Sequence, residues 1–376
     1  RPVGREVGHL RGMLEPGLRP RYKGVRRDRS FPIATKTASR RAKTGASSKG
    51  GRRLTSLDTL RGVALVAVLT GLAVADISRL PELFHPSPWH GFRLADLVAP
   101  VLLVISGGAL ASSRMRHRDT RAAALRLARR VVLLVGVAVA LELLAGTPLE
   151  ELSVELVLSS RLAQLAVAWV GVWLVAELPR PAQAGAAVVL LAANWIGLSR
   201  LAPTEPHLFV ALPTVVVTVL AGFWVGDWLR SRPDGPATGV ALALTGIYVG
   251  ATGVVGAQVL PLNRTLMTAT FVLFGVGAAV VLLALAYVLV TVLPGRRLVS
   301  RITVLGRHAF PAYVTTAAVT AWLGAGEPGS AWARLVDGFA ATFGPELGAL
   351  LLAAGVVTGA VMLVGVLDRR GLFLRA

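Results

Sequence analysis

Long, uninterrupted blocks of apolar residues decide what this chain can fold into. Stretches such as Val131–Ala140 and Phe271–Val292 carry apolar side chains in nearly every direction and leave no face for water. A helix needs about 20 such residues to cross the hydrocarbon core of a bilayer. Because lipid satisfies no backbone polar groups, and the alternating pattern of a β-barrel is absent, the blocks predict membrane-spanning helices.

We predict an all-α fold, a polytopic membrane bundle of about ten transmembrane helices. The composition agrees, with 54% hydrophobic residues, 16% charged residues and a mean hydropathy of +0.64. A soluble chain of this length carries more charge. The predicted spans are 60–79, 93–113, 129–146, 157–177, 183–199, 209–229, 238–259, 266–292, 307–324 and 346–367.

The first 54 residues have a different composition, with sixteen Lys or Arg residues and only three acidic ones. Such a segment cannot bury a core, so we predict a disordered basic cytoplasmic tail over 1–54 and a transmembrane domain over 55–376. The tail either binds anionic cytoplasmic lipid or is simply solvated. The second interpretation is the simpler one, and we favour it.

The arginines of the predicted connections are distributed unevenly between the two sides of the membrane. Even-numbered connections and the C-terminus hold most of them, including Arg114–Arg130, Arg296–Arg307 and Arg369–Arg375. Short basic loops stay in the cytoplasm, so both termini are predicted inside and the His85–Gly91 loop outside. The net charge of +20 is then a signal of topology and of contact with the lipid bilayer. It does not predict a nucleic-acid partner, because no soluble basic domain is evident.

Metal and thiol chemistry have little support in the sequence. The chain has no cysteine, and of its six histidines only His85 and His90 lie close together in sequence. With no third ligand beside them, we predict no metal site.

Two acidic residues stand at the starts of predicted spans. Asp58 and Arg61 are three residues apart and share a helix face, which fits either an ion pair at a capped helix start or a phosphate-binding helix N-terminus. Asp96 lies about one turn into the second span and requires a partner. Arg93 would be a structural partner, whereas a nearby histidine would be a catalytic one whose imidazole the carboxylate orients.

Arg161 and Gln164 occupy one face of the fourth span. They either form hydrogen bonds between helices or line a ligand pocket, because a guanidinium inside a membrane is costly without an anion. We predict that both line the central cavity.

Four segments resemble the transmembrane N-acetyltransferase family typified by heparan-alpha-glucosaminide N-acetyltransferase, which has many bacterial members. They are Ser56–Leu65 (SLDTLRGVAL), Trp89–Pro100 (WHGFRLADLVAP), Pro261–Phe271 (PLNRTLMTATF) and Gly306–Tyr313 (GRHAFPAY). Their order and spacing cover the chain from residue 53 to about residue 320.

The resemblance implies an acyltransferase in a bacterial cytoplasmic (inner) membrane. Acetyl-CoA or another acyl-CoA would be a co-substrate used from the cytoplasm, with no permanently bound cofactor, and a sugar, glycan or glycolipid would accept the acyl group outside. The candidate catalytic residues are His85, with His90 as the second choice, and Asp96 to orient the imidazole. The possible partners also include a second copy of the chain in a homodimer.

The cofactor-binding residues expected from the resemblance and from their charge form a larger set. It contains Asp58, Arg61, Arg129, Arg130, Arg161, Gln164, Asn263, Arg264 and Thr268. The alternative function is a transporter or a catalytically inactive relative that handles an envelope precursor, because Leu72 and Pro86 stand where the family has its asparagine and its histidine.

Overall fold

The computed structural model describes residues 55–114, 120–201, 208–292 and 297–370, and every regular element within these ranges is helical. They all belong to one compact unit that runs from Gly51 to Ala376. The α-helices are α1 (Thr55–Val74), α2 (Val98–Arg114), α3 (Thr120–Leu144), α4 (Val154–Ser159), α5 (Arg161–Ala176), α6 (Arg180–Leu201), α7 (Leu208–Ser231), α8 (Pro236–Gly256), α9 (Ala269–Tyr287), α10 (Arg297–Arg307), α11 (Ala309–Trp322), α12 (Ala331–Phe343) and α13 (Pro345–Arg369). The tail predicted over 1–54 lies outside the described residues.

Seven helical segments are long and apolar enough to cross a membrane. They are Thr55–Val74, Leu94–Ser113, Arg180–Arg200, Val210–Ser231, Pro236–Gly256, Ala269–Thr291 and Pro345–Arg369. The other three predicted spans correspond to α3, α5 and α11. Of these, α5 and α11 have only 16 and 14 residues, and α3 carries four arginines and a glutamate. The all-α, membrane-compatible fold is therefore confirmed for seven helices, whereas the count of ten and the side of each terminus stay predictions.

Two helices occur where only connections were predicted, namely α10 and α12. Both are amphipathic: in α12 the side chains of Trp332 and Val336 are buried four residues apart, and in α10 Thr303 and Leu305 are buried. A search for uninterrupted apolar blocks misses such helices, because a 3.6-residue period places polar residues between the apolar ones.

Four helices form the centre of the bundle. About half or more of each spanning segment is buried for α1, α2, α7 and α9, against about a quarter for α6, α8 and α13. Many of the largest fully buried side chains, such as Phe271, Leu69 and Leu220, belong to the central helices. The peripheral helices expose large apolar residues, as expected for helices that face lipid.

The backbones of α2 and α7 touch each other directly. A Cβ atom added to Gly107 would stand 1.9 Å from the carbonyl oxygen of Val219, and one added to Gly222 would stand 2.0 Å from that of Val104. Small residues at a crossing allow this approach in membrane helices. Any larger side chain at either glycine would have to push the two helices apart.

Several arginine-bearing helix ends meet at one end of the bundle, which we name the basic end. It contains the start of α1, the end of α2, the first half of α3, the end of α7 and α10, joined by contacts such as that of Arg230 with Ser112. We name the opposite end the Asp96 end. It contains the connections 75–97 and 257–268 together with the starts of α2 and α9.

Candidate functional site

Asp96 is the most enclosed acidic group that the structure describes. It lies in a short 3-10 helix, Leu94–Leu97, immediately before α2, and its side chain has no exposed surface. One carboxylate oxygen, Oδ2, accepts hydrogen bonds from the backbone N–H groups of Ser87 (3.1 Å) and Arg93 (2.9 Å). The other, Oδ1, lies 3.2 Å from Nε of Arg264, within ion-pair distance although not aligned as a hydrogen bond.

The loop that brings Arg264 to Asp96 is shaped by its own polar side chains. Oδ1 of Asn263 accepts a hydrogen bond from the N–H of Leu266, and the Thr268 hydroxyl caps the start of α9 by accepting from the N–H of Phe271. Met267 adopts a positive φ of 49° to complete the turn. Asn263 and Thr268, predicted to bind a cofactor, thus have structural partners within this loop.

The two segments around Asp96 and Arg264 are joined directly, although they are far apart in sequence. The N–H of Gly91 donates a 2.9 Å hydrogen bond to the carbonyl of Leu262. The ring of Phe92 packs against Phe271 and Phe274, at centroid distances of 5.4 and 4.5 Å. Two of the four segments that resemble the acyltransferase family therefore form one site.

Arg161 and Gln164 also belong to the Asp96 end. As predicted they share a helix face, because Nη1 of Arg161 donates a 3.0 Å hydrogen bond to Oε1 of Gln164. Nε2 of Gln164 in turn donates to the carbonyl of Ser159, at the break between α4 and α5. Arg161 is exposed as a residue, but protein atoms surround its guanidinium, which lies close enough to Arg264 for the two charges to repel. The guanidinium groups of Arg161 and Arg264 thus lie close together at the end that holds the buried carboxylate of Asp96.

Two buried polar atoms beside Asp96 have no hydrogen-bond partner. They are the hydroxyl of Ser87, whose N–H binds the carboxylate, and Nδ2 of Asn263, whose neighbour in sequence is Arg264. A buried polar group left unpaired costs about 1–3 kcal/mol. Such groups at the edge of a charged site are available to a bound ligand.

The predicted pairing of Asp96 with a histidine is wrong. Nε2 of His85 lies 2.7 Å from the carbonyl oxygen of Leu80, and His90 is exposed with its ring edge-on to Trp89. The reason is that both oxygens of Asp96 already have partners. The predicted side-chain pairing with Arg93 is also wrong, since that guanidinium pairs with Glu82 at 3.2 Å and only the N–H of Arg93 reaches Asp96.

At the basic end, Asp58 joins α1 to α10. Its carboxylate lies 3.6 Å from Nη1 of Arg61, the predicted pair, and 3.8 Å from Nε of Arg307. The hydroxyls of Thr59 and Thr303 are 2.7 Å apart. The helices touch here, because a Cβ added to Gly306 would stand 1.7 Å from the carbonyl oxygen of Asp58. The first and fourth of the resembling segments therefore also meet.

The two arginines of α3 that were predicted to bind a cofactor point in different directions. Arg130 donates to the Ser113 hydroxyl at 3.3 Å, whereas Arg129 is exposed. The structure adds Arg126, which lies near Arg130 on α3, and Arg230, which contacts the Ser112 hydroxyl at the end of α2. The predicted cofactor residues are thus divided between the two ends of the bundle.

Sequence reasoning missed a buried asparagine in α6. Asn194 has no exposed surface, donates through Nδ2 to the carbonyl of Val210 and accepts at Oδ1 from the N–H of Ala269. It thereby ties α6 to the starts of α7 and α9. An asparagine surrounded by apolar residues in a predicted span was the available signal.

No protein-family model matches the chain, and a search of curated proteins returns no significant match. Among the residues that the structure describes, no group of three or more metal-ligating side chains is found. The geometry of the two ends therefore has to support any functional conclusion.

Proposed function

We propose that the chain is a membrane-embedded acyltransferase that moves an acetyl or similar group from cytoplasmic acyl-CoA to an extracytoplasmic sugar, glycan or glycolipid. One observation carries the proposal. The four segments that resemble the acyltransferase family, dispersed along the sequence, meet in two pairs at opposite ends of the bundle. Two sites on opposite faces are what transfer across a membrane requires.

The proposed topology follows from the same two ends. With α3, α5 and α11 counted as spans, the proposed bundle has ten, and the start of α1 and the end of α13 would lie on the side of the basic end. Because basic loops are retained in the cytoplasm, we assign the basic end to the cytoplasm of a bacterial inner membrane.

The topology is testable because the chain has no native cysteine. Cysteine at Leu83, an exposed residue of the 75–97 connection, should react with an impermeant thiol reagent in intact cells. Cysteine at Ser231, exposed at the end of α7, should react only after the cells are opened. The reverse labelling would place the Asp96 end in the cytoplasm.

His85 is the proposed general base, oriented by a backbone carbonyl. Because a carbonyl only accepts, the 2.7 Å contact with Leu80 requires the proton on Nε2 and leaves the lone pair on Nδ1. Nδ1 would then take the proton from the acceptor as the acyl group is transferred. Arg161 and Arg264 supply positive charge at this end that would stabilise the oxyanion of the transition state.

The decisive experiment gives radiolabelled acetyl-CoA to inverted membrane vesicles and follows the label into the lipid and glycan fractions. We expect His85→Ala to reduce transfer by roughly 10²–10⁴-fold, the usual range for a positioned base. His90→Ala is the matched control, since this exposed histidine of the same loop has only an edge contact with Trp89. Full transfer by His85→Ala would refute the assignment of the base.

A second candidate is a transporter or inactive relative that handles an envelope precursor without acyl transfer. The observation that favours it is the absence of a carboxylate–histidine pair, since Asp96 binds Arg264 and two backbone N–H groups instead. If the wild-type protein transfers no label from any acyl-CoA, this second function replaces the first.

A further inference from the structure

Arginines of α3 and α7 contact the last turn of α2 at the basic end. Arg130 of α3 donates to the hydroxyl of Ser113, and Arg230 of α7 donates to that of Ser112. Arg126 lies one turn before Arg130 on α3, close enough for the two charges to repel. We name Arg126 and Arg130 the arginine cluster.

Ser113 holds Arg130 in place but does not neutralise it. A hydroxyl carries no net charge. The positive charge of Arg130 is thus not compensated by the group that positions it.

Arg126 is the member with the greatest need of an anion. Its Nε and Nη2 atoms are buried and have no hydrogen-bond partner. Neither Arg126 nor Arg130 has a carboxylate within ion-pair distance in the described part of the chain. Burying like charges without a counter-charge is strongly unfavourable.

Other arginines at the same end do have carboxylate partners. Arg180 pairs with Asp227, and both Arg61 and Arg307 lie beside Asp58. The described residues therefore supply carboxylates to other arginines at this end, yet none to Arg126 or Arg130. Within the described residues these two arginines lack a counter-charge, which a bound anion would supply.

We propose that the arginine cluster is a binding site for a phosphate group. Guanidinium groups match the tetrahedral oxygens of phosphate through paired, charge-assisted hydrogen bonds. At the boundary of a membrane bundle, the phosphate comes either from the head group of an anionic phospholipid or from a soluble phosphate compound such as a coenzyme A. This site rests on the contacts above and does not depend on the proposed acyl transfer.

The first arm of the test titrates coenzyme A into the full chain in nanodiscs of phosphatidylcholine. The variants are Arg126→Gln and Arg130→Gln, and Arg301→Gln is the control because it removes the same charge from an exposed side chain of α10 at the same end of the bundle. We expect the two cluster variants to weaken binding about tenfold or more and the control to change it less than about threefold.

The second arm measures retention of phosphatidylglycerol by native mass spectrometry with the same variants. Loss of retention in the cluster variants alone would identify a lipid head group, whereas an effect only on coenzyme A would identify a soluble phosphate compound. Equal effects of Arg301→Gln and Arg126→Gln in both arms, or no effect at all, would overturn the proposal. Should Arg126→Gln not yield folded protein, Arg126→Lys keeps the charge, loses the paired geometry, and should still weaken binding.

Thermal unfolding gives an independent readout. In phosphatidylcholine without coenzyme A, Arg126→Gln should be as stable as the wild type or more stable, because it relieves repulsion with Arg130. A lower melting temperature together with unchanged binding in both arms would show a purely structural role for Arg126.

Discussion

The two ends of the bundle hold an aspartate in opposite ways. Asp96 has no exposed side-chain surface, accepts two backbone hydrogen bonds and lies 3.2 Å from Arg264. Asp58 keeps some exposure, and its two arginine neighbours stand at 3.6 and 3.8 Å. The contacts of a buried carboxylate hold the loops together at the Asp96 end, whereas direct backbone contact at Gly306 joins the helices at the basic end.

The largest effect on stability is expected from Asp96→Ala. Two N–H groups would lose their acceptor and Arg264 its counter-charge, at a cost of about 3 kcal/mol in the free energy of unfolding. Asp58→Ala, at a site whose carboxylate keeps some exposure, should cost less, about 1–2 kcal/mol. Reversible unfolding in mixed micelles would measure both, and equal losses would remove the contrast between the two ends.

A somewhat smaller effect is expected from Gly306→Ala at the basic end. The new methyl group would collide with the backbone at Asp58 and separate α10 from α1, which should cost about 2 kcal/mol. Gly71→Ala in α1 is the control, because no atom lies within 4 Å of the added methyl group. Gly71→Ala should leave the free energy of unfolding unchanged or raise it slightly. If it lowered the free energy of unfolding as much as Gly306→Ala does, the close packing at Gly306 would not explain the effect.

Trp332→Phe tests how α12 is attached at the Asp96 end. The indole N–H of this buried residue donates to the carbonyl of Ala73, the last turn of α1. Loss of that hydrogen bond should lower the free energy of unfolding by about 1 kcal/mol. Trp322→Phe, at a residue that is 72% exposed, should have little effect in the same measurement.

The smallest effect concerns pH and Asp76, which lies outside the membrane-spanning segments. Hydrogen bonds from the Ser78 hydroxyl and N–H hold the pKa of Asp76 below its ordinary value of 3.8. The resulting stabilisation is present above that pH and is lost as the pH falls through the lowered pKa. Melting temperatures of wild type and Asp76→Asn should therefore converge slightly below about pH 4. A constant difference at every pH would contradict this.

The helices could be predicted from the sequence to the extent that they are apolar throughout. The span 346–367 matches α13 closely, because nothing but lipid and neighbouring helices surrounds it. The amphipathic α10 and α12 were not predicted, because their burial depends on contacts with α1 and α13 that the local sequence pattern does not show. Long apolar helices can therefore be predicted from hydropathy, whereas the position of a short amphipathic helix depends on its tertiary contacts.

The candidate site was predictable only in part. The pairs Asp58–Arg61 and Arg161–Gln164 were found because helix geometry fixes neighbours three residues apart. The partner of Asp96 was not found, because Arg264 is distant in sequence and reaches it through the turn at Met267. The orientation of His85 by Leu80 depends on the folded path of the loop, which hydropathy does not encode.

The direct backbone contact between α2 and α7 has a mechanical consequence. Two helices that interlock at Gly107 and Gly222 cannot slide past each other without steric collision, so we expect α2 and α7 to move as one rigid unit. Asp96 lies just before one end of this unit, and Ser112, which contacts Arg230, lies at the other end. If an anion bound at one end tilted the two helices slightly, the opposite end would move as well, without any change in the fold between them.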